Sequence, residues 1–381
     1  MRAKLYSLLF SLVVAAASGQ IDSLKSAISR SKEDTTKVKL MNSLAGQLIR
    51  RGDLAGAEAF AKQALSVASS LTDPNPDISG NGWIRGKTLS YKTLGNVYYH
   101  KGDPVNAFKC YRAGLALSHA QPDSINFALL CSGLGAVDKL QGKYNDALQD
   151  HITALHIYEI KNDSGGMAYA YNNIANVYSE KNLDDSALVY YLDALKVMQS
   201  KGDKNGTGVA YNNIGALYAR LEKFDEALKC YNAALHLFED TDNKLGLAAC
   251  YNNIGNISFY NKSFYDARTY YSRALAVQEL ISDKYGISIS YNNMAATYCC
   301  LTDYSSSITT YFAAINLQEQ MDNKKGLCRS YLGLGYTYEK LHRNKDAQKF
   351  YRWSIELATD LGSDNLLLIA SERLDRVRGE K

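Results

Sequence analysis

Four pairs of asparagines recur every 40 residues, and they are the side chains in this sequence best suited to hold a ligand. The pairs are Asn172 and Asn173, Asn212 and Asn213, Asn252 and Asn253, and Asn292 and Asn293, each directly after a tyrosine. An amide both donates and accepts hydrogen bonds, so a row of amides can pair with the alternating N–H and C=O groups of an extended peptide. Asparagine is a mediocre helix former, so placing these pairs within helices carries a cost. The pattern predicts a ligand-binding row, which we call the asparagine ladder.

Further polar side chains fall on the helix face that carries the ladder. They are Asn176, Arg220, Asn256 and Tyr260. The ladder stops where the flanking repeats carry Ser132-Gly133 and Leu332-Gly333 at the same positions, which favours ligand contact. An alternative remains open, in which one asparagine of each pair bonds a backbone carbonyl of an adjacent helix and duplication has copied that arrangement.

Motifs typical of catalysis are missing from the sequence, which has no HExxH, phosphate-binding loop, GxSxG or dinucleotide fingerprint. His151 and His156 are five residues apart on a helix, a poor spacing for sharing a metal, and we interpret His151 as a packed core residue. The 43 basic and 39 acidic residues lack the clustered basic stripe of nucleic-acid binders. The sequence thus predicts no enzyme activity, no cofactor, no metal and no nucleic-acid partner.

The ladder belongs to a repeat of 40 residues that runs along most of the chain. An aliphatic residue followed by glycine or alanine recurs at positions 94–95, 134–135, 174–175, 214–215, 254–255, 294–295 and 334–335. Within each unit, apolar and small residues at i, i+3, i+4 and i+7 indicate two helices on either side of a short break. Such a helix pair cannot bury its faces alone, so the units are predicted to stack into a solenoid. The 29 tyrosines reflect one or two structural positions that are filled repeatedly.

These positions resemble the tetratricopeptide repeat, whose pattern is an aromatic residue, Leu-Gly and Tyr on the first helix, and Ala with an aromatic residue on the second. The resemblance covers residues from about 38 to 360, and the period of 40 is similar to that of kinesin light chains, Pins-type adaptors and bacterial peptide-sensing regulators. It implies an all-α fold, a right-handed α-α superhelical solenoid of about eight helix pairs with a C-terminal capping helix. It also implies a non-catalytic interaction scaffold or peptide-binding adaptor.

In the adaptor families that the sequence resembles, asparagines of the first helices hold the backbone of an extended ligand in the concave groove. The resemblance makes Asn173, Asn213, Asn253 and Asn293 the expected ligand contacts, with the asparagine before each of them next. The expected partner is a protein or an extended peptide. Two alternatives stay open, namely the periplasmic sensory region of a histidine kinase or nucleotide cyclase, and a self-assembling structural array.

Residues 1–19 are predicted to be a secretory signal peptide. Arg2 and Lys4 precede an apolar run from Leu5 to Ala17, and small residues follow it. The run is shorter than the roughly 20 apolar residues that span a bilayer. The mature chain is therefore expected to be exported to the periplasm or the extracellular space, without a membrane span, after cleavage behind Ala17 or Gly19.

The remaining boundaries follow from the repeat. Residues 20–37 are expected to form an N-terminal capping segment, residues 38–362 the repeat array, and residues 363–381 a C-terminal capping helix. The repeats are expected near 38–70, 88–120, 128–160, 168–200, 208–240, 248–280, 288–320 and 328–360, with an insertion over 73–86 after the first. Asp375 stands where a ninth repeat would need glycine or alanine, which favours a cap. Seven scattered cysteines are interpreted as small buried residues rather than a disulfide framework.

Overall fold

The computed structural model describes residues 21–50, 52–71, 82–118 and 125–379. Within these ranges all regular secondary structure is α-helical. The helices are α1 (residues 21–30), α2 (Thr35–Arg50), α3 (Leu54–Ser70), α4 (Gly82–Lys101), α5 (Pro104–Ser118), α6 (Ile125–Leu140), α7 (Tyr144–Ile160), α8 (Ser164–Glu180), α9 (Asp184–Ser200), α10 (Lys204–Arg220), α11 (Phe224–Asp240), α12 (Lys244–Tyr260), α13 (Phe264–Leu280), α14 (Lys284–Cys300), α15 (Tyr304–Gln320), α16 (Lys324–Lys340), α17 (Asn344–Asp360) and α18 (Asp364–Gly379). The predicted signal peptide and most of the 73–86 insertion lie outside the described residues.

The turn chemistry explains the period of 40. From α7 to α17 each helix has 17 residues, and three residues separate it from the next helix. The middle residue of the turn adopts a left-handed conformation, with φ of 57° at Asn182, for example. Asp163 and Asp203 then cap first helices by accepting the backbone N–H of Gly166 and Gly206 at 3.0 and 2.9 Å. Two such helix-and-turn units make one repeat.

The glycine of several first helices lies under an aromatic ring from the second helix of the same repeat. A Cβ added to Gly215 would lie 2.8 Å from the ring of Tyr231, and one added to Gly255 would lie 2.6 Å from the ring of Tyr271. In repeat three the ring of His151 takes this place, 2.8 Å from a Cβ added to Gly135. The ring of the second helix therefore sets the steric limit at these glycines.

The described chain falls into two compact units, which meet in sequence between Asn243 and Lys244. In unit 1, the first helices α4, α6, α8 and α10 contact one another in order, and each packs on its own second helix. In unit 2, the first helices α12, α14 and α16 are arranged in the same way, followed by α18. The all-α class and the stacking of helix pairs as a solenoid are therefore confirmed.

Helix α18 packs against both α16 and α17 and buries Ala370, Leu374 and Val377. Its Asp375, by contrast, is 76% exposed, although the equivalent Gly335 lies beneath the Tyr351 ring. The role of α18 as a C-terminal cap stays a prediction. The seven cysteines all fall in the described ranges, where each is a free thiol and Cys300 is the exposed one.

Candidate functional site

The ladder asparagines lie on consecutive first helices and are partly exposed. In unit 1 they occupy α8 and α10, and in unit 2 they occupy α12 and α14. Positions four residues before and three and seven residues after the second asparagine share its face of the helix. We call this face, within each unit, the ladder surface. It carries Tyr169, Asn173, Asn176 and Glu180 on α8, and Val209, Asn213, Ala216 and Arg220 on α10.

The first asparagine of three of the four pairs ties its helix to the first helix of the next repeat in the same unit. In unit 1, Asn213 donates its Nδ2 hydrogen to Oδ1 of Asn172 at 2.9 Å. In unit 2, the hydroxyl of Ser290 lies 3.1 Å from Oδ1 of Asn252, and the hydroxyl of Ser330 lies 2.7 Å from Oδ1 of Asn292. These bonds join side chains, not a side chain and a backbone carbonyl. The carbonyl ends of these amides therefore stabilise the stack.

A second set of asparagines accepts hydrogen bonds from the core tyrosines. Asn176 Oδ1 accepts the hydroxyl of Tyr191 at 2.5 Å, and Asn256 Oδ1 accepts the hydroxyl of Tyr271 at 2.8 Å. Asn96 does the same for the hydroxyl of Tyr111 at 2.8 Å. The sequence analysis missed Asn96, although it occupies the repeat position of Asn176 and Asn256. Because a buried tyrosine hydroxyl needs a partner, these bonds fix the amide orientation.

Arg220 and Tyr260 differ from each other in their surroundings. The Arg220 guanidinium pairs with the Asp184 carboxylate and lies 3.4 Å from Oδ1 of Asn182, so it links the end of α10 to the start of α9. Tyr260, at the same repeat position in unit 2, is 72% exposed. Unit 2 thus presents an exposed aromatic side chain at this position, and unit 1 presents a partly exposed cation that is paired with a carboxylate.

A cavity of about 350 Å³ opens on the ladder surface of unit 1, between α4, α6 and α8. It occurs where repeat three departs from the pattern of repeat four. Gly133 and Ala136 replace the larger Asn173 and Asn176, and His151 replaces a core tyrosine. Ala136 and His151 are shorter than their counterparts in repeat four and border the void, whereas the ring of Tyr111 occupies the place of a side chain at position 133.

The lining of this cavity is basic and rich in hydrogen-bond donors. Lys92, His100, Lys139 and His151 contribute to it, and no Asp or Glu does so within the described part of the chain. Burial lowers the pKa of Lys92, and burial with nearby Lys139 lowers the pKa of His151 to about 4. His151 is therefore neutral at pH 7, and its Nδ1 is buried without a hydrogen-bond partner, as is Nδ2 of Asn173. His151 is buried, as the sequence analysis predicted, but that analysis did not predict that His151 lines a cavity.

The helix pairs and their repeated tyrosines are those of a tetratricopeptide repeat array. The family model described as "Tetratricopeptide repeat" matches residues 124–200, 206–280 and 286–360, which is more than half of the chain. The chain belongs to the tetratricopeptide repeat family, as its sequence pattern predicted.

A curated relative is similar over a short stretch. The chloroplast protein FLUORESCENT IN BLUE LIGHT of Arabidopsis thaliana is 30% identical over 92 residues, which is 24% of this chain and 29% of that protein. The chain therefore matches less than a third of the length of this relative. A match of this length supports no conclusion about the activity of the chain.

Two solved structures are similar in fold to most of the chain. A Rap protein complexed with competence and sporulation factor gives a TM-score of 0.54 at 15% identity and covers 90% of this chain and 98% of that chain. NprR in complex with its cognate peptide NprX gives a TM-score of 0.52 at 19% identity, with 90% and 97% covered. At these identities the similarity is one of fold. Among the described helices, none has the length and apolar character needed to cross a bilayer.

Proposed function

We propose that this chain is an exported, non-catalytic interaction protein that binds an extended peptide segment of a protein partner along its ladder surface. The observation that carries the proposal is the recurrence of partly exposed amides at one register of consecutive first helices. Packed helices lie about 8–10 Å apart, and an extended chain rises about 3.3 Å per residue. Neighbouring ladder positions are thus spaced like every third residue of an extended peptide.

The orientation of the ladder amides supports recognition of peptide N–H groups. Nδ2 of Asn213 donates to Oδ1 of Asn172 at 2.9 Å, and Nδ2 of Asn293 donates to Oδ1 of Asn256 at 3.4 Å. The Oδ1 atoms of Asn213 and Asn293 are the ends left to accept from a ligand. A peptide backbone offers one N–H donor per residue other than proline, so it suits these acceptors whatever its side chains are.

The similar structures support a peptide as the ligand class. The Rap protein is complexed with competence and sporulation factor, and NprR is in complex with its cognate peptide NprX. Both share the stacked helix pairs of this chain at low identity. We extend peptide binding from them to this chain as part of the proposal.

Export rests on the amino-terminal sequence, which lies outside the described residues. Arg2, Lys4 and the apolar run to Ala17 are typical of a signal peptide. Amino-terminal sequencing of the protein purified from its host is expected to begin at Ser18 or Gln20. A mature protein that keeps Met1, or that stays with the cytosol on fractionation, would contradict export without affecting peptide binding.

Affinity capture with three forms of the chain tests the binding proposal. The first form is the wild type. The ladder variant combines Asn173→Ala, Asn213→Ala, Asn253→Ala and Asn293→Ala. The control variant combines Asn145→Ala, Asn232→Ala, Asn316→Ala and Asn365→Ala, at exposed asparagines away from the ladder surface. Quantitative mass spectrometry would compare the captured proteins after circular dichroism shows equal helicity.

We expect proteins captured by both the wild type and the control variant to be lost from the ladder variant. Purified candidates would then be titrated to confirm direct binding. Identical capture by all three forms would reject the ladder surface as the binding site. Concentration-dependent self-association that ignores the ladder substitutions would instead indicate a structural array.

A further inference from the structure

In repeat four, two side-chain contacts hold the first helix against the second helix. The hydroxyl of Tyr191 on α9 donates to Oδ1 of Asn176 on α8 at 2.5 Å. The rings of Tyr178 on α8 and Tyr190 on α9 stack, with centroids 5.4 Å apart. Because Asn176 and Tyr178 are two residues apart on a helix of 3.6 residues per turn, the polar contact and the aromatic contact lie on different sides of the interface.

The polar contact is missing from repeat three. The same bond occurs in repeat two, where the hydroxyl of Tyr111 donates to Oδ1 of Asn96 at 2.8 Å. Repeat three has Ala136 and His151 at these positions, and alanine offers no acceptor. His151 is 1% exposed, and its Nδ1 is buried without a hydrogen-bond partner. Separation of the two helices would give this atom water as a partner, so its burial opposes the closed interface.

The aromatic contact is also missing from repeat three. Asp138 on α6 and Asp150 on α7 stand where repeat four has its stacked tyrosines. Asp138 is 5% exposed, and Nζ of Lys143 lies 3.8 Å from its Oδ1. Burial and the charge of Asp138 raise the pKa of Asp150 to about 7. The closed interface therefore disfavours the charged carboxylates that water would solvate.

The cavity of about 350 Å³ borders the same two helices. Ala136 on α6 and His151 on α7 both line it. Side chains that face a void lack the packing contacts that would resist separation. The polar, aromatic and packing defects of repeat three thus fall on one interface, between α6 and α7.

The architecture of the chain allows such an interface to open by itself. In a stacked repeat array each repeat contacts only its neighbours, so stability is a sum of local contributions. Regions with few favourable buried contacts open with a smaller free energy than the whole domain. Repeats two and four keep the bond between tyrosine and asparagine on either side of repeat three.

We propose that repeat three is a built-in opening point of unit 1, at which α6 separates transiently from α7 while repeats two and four stay folded. The opening divides the helix pairs that precede repeat three from the ladder helices α8 and α10. It is a conformational property of unit 1, so it does not depend on ligand binding at the ladder surface.

Hydrogen exchange measured by mass spectrometry on the full chain tests the proposal. A restoring variant combines Ala136→Asn with His151→Tyr and supplies the missing bond of repeat three. Gly135 leaves room for the new ring, because Gly215 of repeat five lies under the ring of Tyr231 in the same way.

Two further forms complete the experiment. The converse variant combines Asn176→Ala with Tyr191→His and gives repeat four the residues of repeat three. The control is Gln149→Ala, at an exposed residue of α7. Circular dichroism would establish the helicity of each form before exchange is measured.

In the wild type we expect the backbone amides of α6 and α7 to be roughly ten-fold or more less protected than those of α8 and α9, since two contacts are missing. The restoring variant should remove most of this difference by raising the protection of α6 and α7. The converse variant should lower the protection of α8 and α9. Gln149→Ala should change neither.

Equal protection of the two helix pairs in the wild type would overturn the proposal. So would a restoring variant of normal helicity in which α6 and α7 exchange as they do in the wild type. Exchange of all helices of unit 1 at one common protection would mean that only global unfolding occurs, which also rejects a local opening. If the restoring variant loses helicity, the wild-type comparison and the converse variant decide between these outcomes.

Discussion

Repeats three and four are built from the same pair of helices, but they carry different side chains on the ladder surface. In repeat four, Asn173 and Asn176 fill the ladder surface, and Asn176 holds the hydroxyl of Tyr191. In repeat three, the same positions are Gly133, which the ring of Tyr111 covers, and Ala136, which lines a cavity. The fold is therefore set by the small residue and the alanine of each helix pair, whereas the ladder positions are free to vary.

The same two repeats also differ on the side away from the ladder surface. Tyr178 and Tyr190 stack in repeat four, with ring centroids 5.4 Å apart. Repeat three has Asp138 and Asp150 at these positions, and Asp138 is buried. A pair of carboxylates thus replaces an aromatic pair, and we expect repeat three to be less stable than repeat four.

The largest predicted effect is loss of the core tyrosine in repeat four. Tyr191 is 5% exposed and packs in a cluster with Ala175 and Leu195. Tyr191→Ala should lower the free energy of unfolding by about 3–5 kcal/mol, since it removes a large buried ring. Urea titration followed by circular dichroism measures the loss, and hydrogen exchange should place it in repeat four and its neighbours.

His151→Ala is the matched control for that prediction. The histidine already borders a cavity, so its removal should cost less than the removal of Tyr191 by about 2 kcal/mol. Equal losses for the two variants would mean that the cavity does not make repeat three less tightly packed than repeat four.

The second prediction concerns the carboxylates of repeat three. Burial, with Asp138 and Asp146 nearby, raises the pKa of Asp150 from 3.8 to about 7, against the weaker opposite effect of Arg112. The native state therefore holds a proton between about pH 4 and pH 7 that the unfolded state has released, and stability falls as the pH rises through this range. Asp150→Asn should raise the free energy of unfolding by about 1–2 kcal/mol at about pH 8, a figure reduced for solvent access.

At about pH 4 the same variant should match the wild type, because Asp150 is then protonated in the native state. Urea titrations at the two pH values measure the difference. Asp146→Asn, at an exposed carboxylate, should change stability much less. A stability gain from Asp150→Asn that is the same at both pH values would contradict burial of a charge as its cause.

The smallest predicted effect tests the bond between ladder asparagines. Asn172→Ala and Asn213→Ala should each cost about 0.5–1.5 kcal/mol, the usual net value of one hydrogen bond. A double-mutant cycle should give a favourable coupling of about 0.5–1 kcal/mol, because the two side chains contact each other. Strict additivity of the two losses would show that the bond between Asn172 and Asn213 does not stabilise the stack.

The sequence predicts the fold well because a 40-residue period fixes which residues share a helix face. The small residue at 215 and the tyrosine at 231 identify the packed face directly. The same reasoning could have identified Asn96, because this residue occupies the repeat position of Asn176 and Asn256.

Other features depend on three-dimensional contacts that a period does not contain. An amide can form a hydrogen bond through either its oxygen or its nitrogen. The hydrogen bond from Asn213 to Asn172 therefore cannot be predicted without the position of the neighbouring helix. The cavity lies where Ala136 and His151, on two helices, are both shorter than their counterparts in repeat four. Each of these residue differences, taken alone, resembles ordinary variation between repeats.

Photo-cross-linking from the ladder surface tests the central claim most directly. A benzophenone side chain would replace Ala216, an exposed residue between Asn213 and Arg220 on α10, or Leu192, which is 46% exposed on α9. The account predicts that one partner cross-links from position 216 and not from position 192, and that unlabelled partner competes. Cross-linking of that partner from position 192 alone would place the binding site away from the asparagine ladder and contradict the account.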